Sequence, residues 1–147
     1  MVKSKFLSNQ QYITKLSEIV QETEAAGERV APFFEKLAQA IADDAVAAMP
    51  SAEFKEIAVE FDDVVEVYQV ATKKLSALKA PARMIGGHTV LNKTFAQYTD
   101  ATEVMAQALD VSGQKIDMVA FNQSEEDQDA LMTKFYSQVQ RLMSTGV

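Results

Sequence analysis

His88 is the only imidazole in this 147-residue chain, and the chain has no cysteine. These two counts remove thiolate catalysis, cysteine-based zinc sites and any site needing two histidines. A di-iron centre in a helical bundle needs paired Glu-x-x-His motifs, and the residue three before His88 is Ile85. His88 falls on an apolar helical stripe, where a packed, hydrogen-bonded histidine is the expected occupant. If buried and neutral, it should hold a pKa below its unfolded value. The alternative is a polar contact inside a ligand cavity, which makes Gly86, Gly87 and His88 the candidate pocket. A glycine in a helix interior costs about 1 kcal/mol. An irregular first helical turn is the expected reason for the pair, ahead of close approach by a neighbouring helix or ligand. No strand precedes the glycines, so they do not read as a nucleotide-binding loop.

Two charged groups also invite a chemical reading. Glu53, Glu56, Glu60 and Asp63 form one helical stripe, with Asp62 and Glu66 beside it. Aligned carboxylates can hold a hard cation, but the expected role is a solvated outer face. Lys73, Lys74, Lys79 and Arg83 bracket Pro81 and form a candidate docking patch for a phosphate or an acidic partner. Their position near a helix C-terminus is also favourable without any partner. No nucleophile, base and orienting group can be assembled around a single seam histidine. Neither a catalytic residue nor a cofactor or metal is therefore predicted.

The elements that must position these groups are helical. Apolar residues make up 48% of the chain, with only five glycines and three prolines. That is too little turn material for a β-sandwich. The prolines at 32, 50 and 81 suit helix starts. They predict helices near 9–28, 32–48, 51–79 and 82–109, with Ser8 and Ser51 as N-caps. The apolar phase of the first segment runs on into Phe33, Leu37 and Ile41, so a single long helix kinked at Pro32 fits equally. A fifth helix is expected from Ser124 to about Thr145, after a turn at Ser112-Gly113 and a short helix near Ile116, Val119 and Ala120.

The strongest pattern lies on either side of Pro81. Phe54, Ile57, Phe61, Val64, Tyr68, Ala71, Leu75 and Leu78 step by three and four. So do Met84, His88, Leu91, Phe95, Tyr98, Thr102, Met105 and Leu109. Folding the chain back at Pro81 pairs them across one seam, for example Leu75 with His88, Ala71 with Leu91 and Tyr68 with Phe95. Tyr98 then lies nearly three turns from His88, which argues against one compact polar site. Core tyrosines usually pack their rings and send the hydroxyl to a helix edge.

The expected architecture is an all-α, up-and-down bundle of four to five helices, built as a single domain over 1–147 on the antiparallel hairpin 51–79 and 82–109. Extra apolar residues at Ala58, Val59, Val65, Val67 and Val70 widen the third predicted helix and suggest a second covered face or a homodimer interface. The net charge is −7, and the excess lies in residues 1–70, which hold 13 acids and 6 bases. A negative field disfavours nucleic acid. Interspersed charge excludes a membrane span. The start, Met1-Val-Lys-Ser-Lys-Phe-Leu-Ser-Asn, reads as neither a signal peptide nor a lipidation site, so the expected compartment is the cytoplasm. The function expected from these features is a non-enzymatic structural or interaction bundle that self-associates or binds a protein. The alternative is a small-molecule-binding bundle with a cavity near the start of the fourth predicted helix.

Overall fold

The hairpin seam is where most of the core forms. In a computed structural model describing residues 7–145, every paired seam residue except the half-buried Leu78 is buried. The stretch read above for targeting signals lies mostly outside the described residues. Four α-helices are present among them: α1 (Asn9–Ala42), α2 (Ser51–Ala77), α3 (Ile85–Gln107) and α4 (Met118–Thr145). A single 3-10 turn, Ala82–Met84, leads into α3. A two-residue antiparallel pair, β1 (Leu109–Asp110) with β2 (Lys115–Ile116), joins α3 to α4. The result is an all-α bundle in which α1 packs on α2, α2 on α3 and α3 on α4. No helix among the described residues is long and apolar enough to cross a membrane.

The count is four because two expected boundaries do not exist. Pro32 lies inside α1, so of the two readings open in the sequence the single long helix is the one that forms. A mid-helix proline removes one backbone donor and typically costs about 3 kcal/mol. Here Pro32 and Glu28, whose carbonyl loses its partner, are both exposed, so water can replace that bond. Burial along the full length of α1 holds it together: Tyr12 and Leu16 lie in one core cluster, Leu37 in another, and Val30 packs against both. Ser8 caps this helix as expected, in a reciprocal box with Gln11.

The second missing boundary is at Ser124. It is an interior residue of α4, 1% exposed, and its hydroxyl donates to the Ala101 carbonyl of α3. The helix starts six residues earlier, where the Asp117 carboxylate accepts the Ala120 N–H. The short separate helix expected near 116–120 is therefore absent. Ile116 is in β2 and Val119 is 83% exposed on the first turn of α4. Ser51 does not cap α2 either. Pro50 occupies that position, and its carbonyl accepts from Glu53 and Phe54.

The core has two parts. One runs from Tyr12 and Leu16 through Tyr68, Leu75, Leu91 and Phe95 to Phe135 and Leu142. The other gathers Leu37, Phe54, Phe61, Met105 and Phe121 at the opposite end. That end is tied off by Gln114, whose amide donates to the Val46 and Met49 carbonyls of the α1–α2 connection at 2.9 and 2.6 Å. The third predicted helix is wide for a plain packing reason. Ala58 and Val65 are buried, while Val59 and Val70 stay 48% and 46% exposed.

Candidate functional site

His88 is bound into the structure at both ring nitrogens. Its Nε2 lies 2.9 Å from the Leu75 carbonyl and its Nδ1 lies 2.7 Å from the Tyr12 hydroxyl. A carbonyl can only accept, so Nε2 carries the proton and Nδ1 accepts from the tyrosine. The two rings meet edge to face at 5.3 Å. Burial pushes the His88 pKa below its ordinary 6.5, against the opposing pull of the Leu75 and Leu78 carbonyls. The imidazole is thus neutral and 6% exposed.

Gly86 and Gly87 do not share a cavity with it. Both are exposed, on a groove that also holds Arg83, Val90, Gln138 and Arg141. The irregular turn expected here does occur, at residues 82–84, but the glycines follow it in regular α-helix. Close approach accounts for Gly87, where a Cβ would sit 2.9 Å from Leu142 Cδ2 of α4. Nothing in the structure explains Gly86.

The basic residues point to different neighbours. Lys74 pairs with Glu22 of α1 at 2.7 Å, and Arg83 donates to the Thr145 carbonyl at 3.0 Å. Lys73 and Lys79 are exposed. On the acidic stripe, Glu53 approaches Lys36 at 4.0 Å. Glu60, Asp63 and Glu66 line a shallow groove with Arg29 of α1. Among the described residues no three His, Asp or Glu side chains converge as metal ligands.

The feature with the shape of a binding site lies elsewhere, between α1 and α4. These two helices do not pack closely against each other. Their seam is closed at one end by Phe34 stacked on Phe121, with centroids 6.1 Å apart. At the other end, Tyr12 and Leu16 share a core with Phe135 and Val139. Midway, α1 lines the seam with Thr23, Glu24, Gly27, Glu28 and Ala31, and α4 with Glu125, Gln128, Asp129, Met132 and Tyr136. Gly27 and Ala31, at the middle of α1, are too small to reach across, and the gap stays open. The space left is a cavity of about 260 Å³ whose walls come from all four helices, among them Val30, Phe34, Phe61, Val64 and Met105. Gly27, Ala31, Tyr68 and Tyr98 also line an outer space of about 370 Å³.

Tyr68 and Tyr98 form the floor. Their rings lie 5.3 Å apart, and Phe95 touches both at 5.9 Å. The Tyr68 hydroxyl reaches α1, 3.4 Å from where a Gly27 Cβ would be. Burial raises the pKa of both phenols. Tyr98 adds to the rise at Tyr68, and Asp129 to that at Tyr98. Both therefore stay protonated at neutral pH.

Sequence reading placed both tyrosines on the seam but missed the cleft. The small residues that open it, Gly27 and Ala31, stand one turn apart midway along α1, opposite large aromatics. A four-helix bundle with a tyrosine-floored opening along one seam is the class that fold and site define. No protein-family model matches the chain, and no curated protein or solved structure resembles it significantly.

Proposed function

We propose that this is a non-enzymatic binding bundle whose ligand is a small molecule held between α1 and α4. The observation that carries this reading is the cavity itself: about 260 Å³, walled by all four helices and floored by two buried phenols. Sites of this kind, mostly apolar with a few placed polar groups, are how bundles hold ligands. About 150 Å³ already admits a benzene ring, so the space suits a ring with a short substituent. The reading moves the ligand site from the start of α3 to the middle of the bundle. It assigns no reaction, because the one imidazole is committed to Tyr12 and Leu75.

Solution NMR with a small aromatic probe, 2-phenylethanol, tests it. The largest amide shifts are expected at Gly27, Ala31, Tyr68 and Tyr98. Ala31→Leu, which fills the cleft from its rim, should abolish them while leaving the helical circular dichroism unchanged. Shifts centred elsewhere, or undiminished binding by Ala31→Leu, would refute the reading.

A second reading, docking of a protein or another copy of this chain, is favoured by Val59 and Val70. They lie three turns apart on one line of α2 and are about half exposed. Asp63 and Glu66 are exposed between them, so such a partner would have to offer basic groups. Light scattering at two concentrations distinguishes a constant monomer mass from association that Val59→Asp removes.

A further inference from the structure

We propose that the α1–α4 cleft takes an organic cation: an apolar body of about one ring carrying a single ammonium group. This rests on the cleft being a ligand site and specifies the ligand's chemistry. Two independent features converge on it. The first is the charge around the opening. Glu24 and Glu28 of α1 and Glu125 and Asp129 of α4 border it, and neither part of the cleft is lined by a lysine or arginine. Neither of the ion pairs found among the described residues uses any of these four acids. Their carboxylates are exposed, on the two helices whose seam is open midway.

The second feature is the floor. Tyr68 is 4% exposed and Tyr98 9%, yet both line the cleft. Their rings lie 5.3 Å apart on that one floor. A phenol oxygen can accept two hydrogen bonds, so acceptor capacity is left over at the floor. An ammonium group supplies donors only. Aromatic faces also attract a cation within about 6 Å of the ring centroid. The remaining wall is mostly apolar, with Val30, Phe34, Phe61 and Val64 beside the polar Thr102 and Gln128. It suits the body of the ligand, and among the described residues no three of the acids converge as a bare metal ion would require. An anionic ligand would meet four carboxylates and no compensating cation.

Three probes of nearly one shape separate the possibilities: phenethylammonium, 2-phenylethanol and phenylacetate, measured by titration calorimetry at low ionic strength. Phenethylammonium should bind about tenfold more tightly than the alcohol, and phenylacetate more weakly than either. The double variant Glu125→Gln/Asp129→Asn changes only exposed side chains. It should erase most of the preference for the ammonium over the alcohol. Equal affinity for ammonium and alcohol would overturn the cation assignment while the cleft remained a ligand site. So would a preference that survives the double variant. Failure of all three probes to bind would overturn both.

Discussion

Two places in this bundle bury hydroxylated aromatic rings beside apolar side chains, and they do opposite things. At one end, Tyr12 donates to His88, which donates to the Leu75 carbonyl, and Leu16, Leu75 and Leu91 close around them with no exposure. Midway along the molecule, Tyr68 and Tyr98 have similar burial but face a gap. The cause is what the neighbouring helix brings. Opposite His88, α1 contributes a full-sized tyrosine. Opposite Tyr68 it contributes Gly27, which cannot fill the space. A buried polar group thus becomes structural when the protein supplies its partners, and stays available when the facing residue is too small.

The sharpest way to break this comparison is to truncate each region in turn. Leu91→Ala removes a side chain with no exposure from the closed region, where the surroundings cannot collapse easily. It should cost about 2–5 kcal/mol. Val30→Ala removes two methyl groups from a half-buried wall of the cleft, where space already exists, and should cost about 1 kcal/mol. Urea denaturation of both variants checks the ranking. Equal losses would mean that the cleft is packed as tightly as the closed end.

The closed end can be probed more finely through its hydrogen bonds. Tyr12→Phe keeps the ring but leaves His88 Nδ1 buried without a donor, which should cost about 1–3 kcal/mol. The same histidine sets a pH dependence. Its folded pKa is lowered by burial, so between the folded value and 6.5 the unfolded chain binds the extra proton. Its contribution to stability is complete above pH 6.5 and erodes as pH falls below it, until the lower folded pKa is passed. Melting temperatures between pH 8 and 5 should therefore fall more steeply for the wild type than for His88→Gln. Parallel curves would show that the imidazole is not held neutral by its surroundings.

The difference between the two regions also marks what the sequence could reveal. The α2–α3 seam was legible because consecutive apolar residues at helical spacing report a buried face directly, and Leu75 does meet His88. Pro32 left two readings open because a proline's local cost is visible in sequence, whereas the long-range burial of Tyr12, Leu16 and Leu37 that outweighs it is not. Ser124 misled for the converse reason. Its hydroxyl looks like a cap in sequence, yet it is bonded across to Ala101 on another helix. The cleft was hidden most deeply. A cavity is a mismatch between side chains brought together by folding, here from 27, 68, 98 and 129, and no local spacing encodes it.

The smallest expected effect is at the residue on which the comparison turns. Gly27 sits in the interior of a 34-residue helix, where glycine is less favourable than alanine by roughly 0.5–1 kcal/mol. An alanine Cβ there would lie 3.4 Å from the Tyr68 hydroxyl, an ordinary contact that demands no displacement. Gly27→Ala should therefore stabilise the protein by most of that amount, seen as a higher denaturation midpoint with an unchanged slope. It should also narrow the cleft and weaken binding of 2-phenylethanol. If glycine were retained only for helix packing, the variant would instead be destabilised. A gain in stability accompanied by a loss of binding is the pattern expected where the gap itself is what the residue provides.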